Sequence, residues 1–393
     1  MARTIYLDNA ATTPLRSEVF EAMLPYLRDT YGNPSSMHHI GRAAFDALRE
    51  ARALVADTLG VQSSEILFTG SGTEANNLAL WGIARARGAR DKHILISPIE
   101  HKSVLHTAEQ LAREGFEVEY LPVDTFGRID VANTLTRIRP DTILISVMYA
   151  NNEIGTIEPV SELTEHIHNT FSENERPLIH TDACQATGQL DVSPHKLGVD
   201  LMTLNSSKIY GPKGVGMLYV RHGVSLTPLI VGGDQEFGKR SGTENVAGIV
   251  GFAHALALSA REQKQSAEKL TNLRDTFITS LREAIPEVMI NGHLTERLPN
   301  NIHLSFPYIE GESLVLMLDT YGICASTGSA CSASDLVPSH VLRAIGQDDD
   351  LMHGSLRLTL GRDTTEADLS YTRDVLTKSA ATLRALSPLP LHL

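Results

Sequence analysis

Residues 178–220 decide the fold of this chain, because they contain the apolar runs Leu178-Ile179-His180-Thr181, Leu201-Met202-Thr203-Leu204 and Val215-Gly216-Met217-Leu218-Tyr219-Val220. Runs of this length and composition are typical of buried β-strands. The third run follows the second across a short link that contains glycine and proline, which favours an antiparallel pair.

Further strand-like runs precede these three, at residues 94–97, 118–121 and 142–147. Segments with apolar residues at i, i+3 and i+4 lie between the strand-like runs, at residues 104–113 and 160–168. The repeated order of strand, helix and strand predicts an α/β fold with a mostly parallel sheet.

A long helical pattern without proline extends from residue 245 to about residue 283 and stops before Pro286, which cannot continue a helix. Beyond it, shorter strand-like and helical pieces alternate, at residues 288–291, 301–305, 312–318, 355–359 and 365–386. We therefore predict a large α/β domain over residues 15–258 and a smaller α+β domain formed by residues 1–14 and 259–393.

The composition excludes several classes of protein. The chain has 393 residues, with 34 basic and 47 acidic side chains and a net charge of −13. Direct binding to nucleic acid needs clustered lysine and arginine, so we expect no such partner. Three cysteines do not make a disulfide scaffold, and no apolar run approaches the roughly 20 residues of a membrane helix. Since the N-terminus also has no apolar signal segment, we expect a cytoplasmic protein without membrane contacts.

Two polar motifs follow predicted strands. Lys208 lies in the Ser- and Gly-rich stretch 206–216, where a lysine can form a Schiff base with pyridoxal phosphate, although a solvated loop lysine is the alternative. Asp182 ends its strand, where α/β sheets place ligands, and could hold a protonated pyridine nitrogen, with Gln185 near the ring hydroxyl. Capping of the next helix by Asp182 is the ordinary alternative.

Two further motifs favour the same kind of ligand. Gly72 and Thr73 lie in a Gly/Ser/Thr turn between a strand and a helix, an arrangement that can cradle a phosphate but is also common as a plain glycine turn. His101 follows the strand-like run 94–97 and could stack on a planar cofactor or act as an acid or base, although a structural histidine is commoner.

The cysteines and one arginine complete the candidate residues. Cys331 lies among small residues at 326–334, which suits an exposed thiol, whereas Cys324 and Cys184 are expected to be packed. Their spacing matches no zinc or redox pair, so no metal site is predicted. Arg357 lies in a strand-like run among apolar residues, where it needs an anion, and a substrate carboxylate fits its fork.

In this order the motifs resemble those of the cysteine desulfurases, pyridoxal-phosphate enzymes of the class V aminotransferase group. The resemblance extends nearly from end to end, and the segment around Cys331 is similar to that of the family's group I. The matching stretches are residues 6–14, 31–36, 72–77, 100–102, 151–155, 180–185, 206–216, 240–243 and 328–331.

The resemblance implies a pyridoxal-phosphate-dependent transferase of the aspartate aminotransferase-like fold that acts as a homodimer. It implies that L-cysteine is converted to L-alanine and that the sulfur passes to Cys331 as a persulfide. That persulfide would supply an acceptor or scaffold protein, for iron–sulfur cluster assembly or another thiolation. A mobile loop at about residues 322–337 would carry the cysteine.

The resemblance also implies roles for individual residues. Catalysis would rest on Cys331, Lys208 and His101, and the substrate carboxylate would bind Asn152 and Arg357. Pyridoxal 5′-phosphate would be held by Gly72, Thr73, His101, Asn152, Asp182, Gln185, Asn205, Ser207 and Lys208, with Thr243 supplied by the other subunit.

One motif departs from the family pattern. Many relatives have Ser-Gly-His before the lysine, whereas this chain has Asn205-Ser206-Ser207, so a hydroxyl replaces a histidine that can donate to the phosphate. Two alternatives to a desulfurase stay open. One is another pyridoxal-phosphate lyase or aminotransferase of the same fold, such as a selenocysteine lyase, and the other is a non-catalytic sulfur-carrier or scaffold protein.

Overall fold

The computed structural model describes residues 4–87, 92–328 and 338–386. The strands are β1 (Ile5–Tyr6), β2 (Ile66–Thr69), β3 (His93–Ile96), β4 (Glu117–Tyr120), β5 (Thr142–Ser146), β6 (Leu178–Asp182), β7 (Leu201–Asn205), β8 (Gly216–Val220), β9 (Met289–Ile290), β10 (Asn301–Ser305), β11 (Ile323–Cys324) and β12 (Ser355–Thr359).

Helices connect most of these strands. They are α1 (Ser17–Arg28), α2 (His39–Leu59), α3 (Gly72–Arg87), α4 (Lys102–Arg113), α5 (Val131–Thr136), α6 (Val160–Thr170), α7 (Pro194–Leu197), α8 (Val246–Ala284), α9 (Gly311–Thr320), α10 (His340–Ala344), α11 (Asp349–His353) and α12 (Glu366–Leu386).

A seven-stranded sheet in the order β2-β8-β7-β6-β5-β3-β4 forms the centre of the molecule. Strands β3 to β7 pair in parallel, and β8 pairs antiparallel with both β7 and β2. The antiparallel pairing of β8 confirms the prediction from its short link to β7. Most strands are buried on both faces because helices cover both, which explains why their sequences are apolar runs and not alternating patterns.

Helix α8 is 39 residues long and joins two apolar cores. Its first half, through Leu256, packs in the core beside the large sheet, and its last turns, from Leu270, pack in a second core. The helix ends at Ala284 because Ile285 precedes Pro286 and takes an extended conformation. This helix confirms the prediction for residues 245 to about 283.

The second core lies beneath a three-stranded antiparallel sheet in the order β12-β10-β9. Strand β9 is shorter than its predicted run, because it is an edge strand that pairs only with Leu304 and Ser305. Near the N-terminus, β1 pairs in parallel with β11, and Leu7 is buried in this second core. The predicted boundary at residues 258 and 259 falls inside α8 and stays a prediction.

Candidate active site

A cleft of about 390 Å³ opens where the two cores meet, at the carboxyl ends of the central parallel strands. It is lined by Ala10, Ala11, Gly72, Thr73, Asn76, His101, Lys102, Met148, Asn152, Glu153, Asp182, Cys184, Gln185, Asn205, Lys208, Gly328, His340 and Arg357. A cavity of this size, with polar groups converging from several elements, is typical of a small-molecule site.

The sheet topology brings the predicted site residues together. His101 follows β3, Asn152 follows β5, Asp182 ends β6 and Lys208 follows β7, and these four strands are neighbours in the sheet. Because the carboxyl ends of parallel strands meet at one edge, residues far apart in sequence line one cleft.

The Asp182 carboxylate is buried and held at both oxygens. Oδ2 accepts a hydrogen bond from Asn76 Nδ2 at 2.7 Å, and Oδ1 accepts one from the backbone N–H of Cys184 at 2.9 Å. Asn76 Nδ2 also donates to Ser103 Oγ at 2.9 Å. Asn76 therefore fixes the orientation of the carboxylate that faces the cleft.

His101 is the N-cap of α4 and contacts the same network. Its Nδ1 accepts from the backbone N–H of Ser103 at 3.1 Å and lies 2.8 Å from Ser103 Oγ. Burial lowers the pKa of His101, while the Asp182 charge opposes that shift. The imidazole therefore favours its neutral form at pH 7.

Lys208 ends a short 3-10 helix, Ser206–Lys208, that follows β7. Its Nζ donates to the carbonyl oxygens of Ala10 at 2.8 Å and Ala11 at 2.5 Å. Gln185 Nε2 donates to the same Ala10 carbonyl at 2.9 Å. The N-terminal segment thus forms part of the wall against which the lysine lies.

The N-terminus of α3 supplies backbone donors to the cleft. The first N–H groups of a helix have no partner within the helix and carry its positive dipole end. At Gly72 a Cβ atom would lie 2.9 Å from Cys184 Sγ, so the close approach of these two elements requires glycine. Ser71 Oγ caps the turn by accepting from the Glu74 N–H at 3.1 Å.

Arg357 reaches the opposite wall from β12. Its Nη1 donates to the Asn152 carbonyl at 3.0 Å, and its Nη2 pairs with Asp8 Oδ1 at 3.0 Å. The side chain is buried, and its Nε has no hydrogen-bond partner among the described residues. The anion that the sequence requires for this arginine is met in part by Asp8, which the sequence analysis did not single out.

Buried titratable groups underlie Asp182. Burial raises the pKa of Glu100 well above its usual value, and burial lowers the pKa of His180 to about 4. Ser146 Oγ lies between them, 3.0 Å from Glu100 Oε1 and 2.9 Å from His180 Nδ1. Burial therefore favours the neutral form of both groups, which limits the negative charge beside Asp182.

Two of the predicted residues that the structure describes are not in the wall of this cleft. Ser207 lies beside it, and its Oγ donates to Asn205 Oδ1 at 3.2 Å. Thr243 is exposed and lies outside the cleft of its own chain. Cys331 lies outside the described residues, as does the rest of its predicted loop after Gly328. Cys324 is only partly buried, less than expected, whereas Cys184 is buried as expected.

Sequence reasoning missed several residues of the cleft, namely Asn76, Lys102, Glu153 and His340. It also missed Asp8, which pairs with the cleft residue Arg357. Asn76 lies one helical turn after Gly72, so it shares a face with the predicted phosphate turn, and this spacing was an available signal. His340 begins α10, far from the other motifs, and no local pattern distinguishes it. Among the described residues, no group of three His, Cys, Asp or Glu side chains could hold a metal ion.

Comparisons with known proteins were made on the whole chain. Residues 5–371 match the family model for class V aminotransferases. The chain is 51% identical to "Cysteine desulfurase IscS" of Dictyoglomus turgidum over 99% of this chain and 97% of the relative. A solved structure titled "NIFS-LIKE PROTEIN" has a TM-score of 0.89 at 39% identity and covers 97% of this chain and 99% of its own. A second, titled "SspA in complex with cysteine", has a TM-score of 0.79 at 34% identity, with coverage of 91% and 99%.

Proposed function

This chain belongs to the class V aminotransferase family and is a pyridoxal-phosphate-dependent cysteine desulfurase, and from that premise we propose which of its residues carry the reaction. The observation that carries the proposal is the convergence of Lys208, Asp182, His101 and Arg357 on one cleft. The reaction converts L-cysteine and a cysteine thiol to L-alanine and a persulfide. One C–S bond and one S–H bond break, and one S–S bond and one C–H bond form, so no further oxidant or reductant is needed.

The cleft fits pyridoxal 5′-phosphate. Asp182 offers a carboxylate for the ring nitrogen, the N–H groups at Gly72 and Thr73 offer an anion site, and Lys208 offers an amine for covalent attachment. Asn76 Oδ1 is buried without a hydrogen-bond partner among the described residues, which fits a site that a polar ligand completes. When bound, the cofactor stores the electron pair released at the substrate Cα.

We infer that Asn152, Gln185 and Asn205 orient the cofactor from the cleft wall and that His101 stacks on its ring. Ser207 would contribute through Asn205, because its hydroxyl already donates to Asn205 Oδ1. A hydroxyl in place of the family's histidine would then act on the phosphate indirectly. This arrangement predicts that the departure at Asn205-Ser206-Ser207 leaves the role of Lys208 intact.

Substrate binding is assigned to Arg357 and Asn152. The guanidinium can present a fork to the carboxylate of L-cysteine, and its buried position makes that charge-assisted bond strong. Because Asp8 already holds one arm of the fork, the substrate carboxylate would share or displace this contact. The structure titled "SspA in complex with cysteine" agrees with L-cysteine as the ligand of this fold.

Proton transfer at the substrate is assigned to Lys208. Its Nζ lies on the carbonyls of Ala10 and Ala11, which orient the amine toward the cleft. With L-cysteine and the cofactor bound, Nζ would remove the proton from the substrate Cα. The Cys331 thiolate would then attack the substrate sulfur, and alanine would leave.

The persulfide on Cys331 would pass to an acceptor or scaffold protein, for iron–sulfur cluster assembly or another thiolation. A reducing cytoplasm suits this chemistry, because it keeps the thiol available for each turnover. No helix of the described residues has the length and apolar content to cross a membrane.

The enzyme is also proposed to be a homodimer. Large apolar side chains are exposed at Tyr31, Met37, Phe45, Val231 and Phe237, and a second copy would cover such a surface. Thr243 is exposed near the same region of the chain. It would complete the phosphate site of the partner subunit.

The deciding experiment measures alanine released from L-cysteine in excess thiol reductant, for the wild type, Cys331→Ala and the control Cys324→Ala. We expect alanine from the wild type and the control and almost none from Cys331→Ala. Equal alanine from all three would remove Cys331 from the mechanism and favour another lyase of this fold. No alanine from any of them would favour a sulfur carrier without catalysis.

A further inference from the structure

The N-terminal segment 10–13 contacts both the amine of Lys208 and the backbone beside it. The amine donates to the carbonyls of Ala10 and Ala11. The backbone on either side of Lys208 is bonded to Thr13, which is 2% exposed and is not among the residues that line the cleft. One segment from the other end of the domain therefore fixes the proposed catalytic lysine at its tip and at its base.

A single hydroxyl makes the contacts on the two sides of the lysine. Thr13 Oγ1 donates to the Ser207 carbonyl at 3.0 Å and accepts from the Tyr210 N–H at 2.7 Å. The Thr13 N–H donates to the same carbonyl at 2.9 Å. A hydroxyl can donate and accept at once, which an aliphatic side chain of the same shape cannot do. Because this bridge uses the carbonyl of Ser207, it does not depend on the side chain that departs from the family pattern.

Tyr210 is the residue of this turn that most needs support. Its φ is 62°, in the left-handed region that residues other than glycine rarely adopt. Its N–H is bonded to Thr13, its carbonyl accepts from the Arg16 N–H at 3.0 Å, and its hydroxyl accepts from the Arg362 N–H at 2.8 Å. An unfavourable backbone conformation persists where its surroundings fix it, and such residues are concentrated at active sites. Contacts from two distant segments therefore hold the turn after Lys208 in one conformation.

We propose that Thr13 is a positioning residue for the reaction, which acts through the backbone on both sides of Lys208 to direct Nζ at the substrate Cα. The proposal rests on the proposed function, in which Nζ takes the proton from that carbon and the cofactor takes the electron pair. Loss of the Thr13 hydroxyl leaves the Tyr210 N–H without its partner and lets the turn relax. Proton removal depends steeply on the position of the amine, so it should slow, whereas binding of the substrate carboxylate at Arg357 should not change.

Hydrogen exchange of the Tyr210 amide in the cofactor-loaded enzyme, followed by mass spectrometry with fragmentation, tests the contact itself. It compares the wild type, Thr13→Val, Thr13→Ser and the control Thr12→Val. Thr12 Oγ1 is buried without a hydrogen-bond partner among the described residues, so the control removes a hydroxyl but no hydrogen bond. We expect slow exchange in the wild type, Thr13→Ser and the control, and exchange faster by roughly tenfold or more in Thr13→Val. Exchange at the free-peptide rate in the wild type would overturn the proposal, and so would equal protection in Thr13→Val and Thr12→Val.

Kinetics with α-deuterated L-cysteine distinguish positioning of the amine from general support of the fold. For Thr13→Val we expect kcat to fall by roughly tenfold, KM for L-cysteine to stay within about twofold, and Thr13→Ser to recover the loss. Since proton removal is then the slow step, the ratio of the rates with ordinary and deuterated substrate should be at least as large as in the wild type. A wild-type kcat, or equal rates with the two substrates, contradicts the positioning role.

Lys208→Ala separates this proposal from the one on which it rests. Full alanine formation by Lys208→Ala would overturn the proposed role of the lysine in the reaction. The exchange measurement needs no turnover, so it would still decide whether Thr13 holds the turn. Little alanine from Lys208→Ala, together with a wild-type kcat in Thr13→Val, would leave the proposed function standing and overturn the role of Thr13.

Discussion

Asn76 shows how one small side chain can orient several groups of the cleft. Asn76 uses both amide hydrogens, one on Asp182 Oδ2 and one on Ser103 Oγ, and Ser103 in turn contacts His101. The carboxylate and the imidazole of the cleft are therefore joined through a single amide. Because the network is buried, loss of any member leaves a polar group without a partner.

Asn76→Ala should weaken cofactor binding. Loss of the donor leaves Asp182 Oδ2 without its 2.7 Å hydrogen bond, and hydrogen bonds to charged groups contribute about 1.5–3 kcal/mol. We expect the dissociation constant of pyridoxal phosphate to rise by about tenfold or more, measured by absorbance titration of the apoenzyme. Asn77→Ala, the same change one residue along α3, should stay near the wild type. Equal affinities for the two variants would contradict the positioning role of Asn76.

Glu158 predicts a pH dependence of stability. Burial raises its pKa to about 8, from an ordinary 4.5, and its Oε2 accepts from the Ile129 N–H at 3.0 Å. The native state thus keeps the proton that the unfolded chain loses as pH rises from 4.5 to 8. The stability that this protonated group contributes is complete below pH 4.5 and is lost through pH 8.

Glu158→Gln removes this titration and should therefore gain stability relative to the wild type as pH rises. Between pH 5 and pH 8 we expect the difference in Tm to move in favour of the variant by on the order of a few degrees. Differential scanning calorimetry at both pH values measures it, with the exposed Glu162→Gln as the control. A difference that is constant with pH would mean that Glu158 is ionised in the folded protein.

At the residue scale, sequence reasoning could reach those side chains that follow strands within recognisable motifs. Lys208, Asp182 and His101 were found in this way, and the cleft contains all three. Asp8 and His340 were not found, because the pairing of Asp8 with Arg357 depends on how β1 pairs with β11, and the place of His340 in the cleft depends on the packing of α10. Such contacts between distant segments leave no local trace in one sequence.

At the scale of elements, the strands and the long helix were predictable because their patterns are local. The parallel strands are apolar throughout, and α8 has a continuous helical period that Pro286 ends. The sheet order was not predictable, because neighbours such as β3 and β5 are separated in sequence by β4. The order of strands in the sheet depends on which face each connecting helix covers, and the local pattern of one sequence does not specify that face.

Helix α8 should control how the two walls of the cleft meet. Gln265 is exposed in the middle of this helix, between the segments that pack in the two cores. Proline there removes a hydrogen bond and kinks the helix at a cost of about 3 kcal/mol. Asp182 lies in the large sheet and Lys208 directly follows its strand β7, whereas Arg357 lies in β12. Gln265→Pro should therefore separate the proposed cofactor residues from the proposed substrate residue.

Gln265→Pro should therefore affect substrate binding more than cofactor binding. We expect KM for L-cysteine to rise by roughly tenfold, while the affinity for pyridoxal phosphate changes by less than about twofold, with Gln265→Ala as the control. Steady-state alanine formation gives the first value and absorbance titration the second. If both values worsen equally, α8 supports the whole fold and not the relative position of the walls.

For the whole molecule, the exposed apolar side chains indicate which surface is incomplete in one chain. Phe237 has a positive φ of 58°. The centroid of its ring lies 5.1 Å from Cζ of the Arg52 guanidinium, and Arg52 forms a buried ion pair with Glu236. The segment that carries Phe237 is thus fixed in place although its outer side is exposed. A rigid apolar surface of this kind favours association of two copies. No sequence pattern distinguished these residues from buried ones, because exposure depends on the tertiary fold.

Mixed dimers test whether one subunit completes the site of the other. Lys208→Ala chains lack the proposed attachment lysine, and Thr243→Ala chains should lose a proposed phosphate contact in the partner's site. Neither homodimer should work at limiting pyridoxal phosphate. After the two are mixed and exchanged, the Thr243→Ala chain keeps its own Lys208 and receives Thr243 from its partner. Random pairing should then recover about a quarter of wild-type alanine formation.

Thr243→Ala mixed with the Lys208→Ala/Thr243→Ala double variant is the control, and it should stay inactive because neither chain supplies the threonine. If the first mixture is as inactive as this control while light scattering gives the mass of a dimer, Thr243 serves no site across the interface.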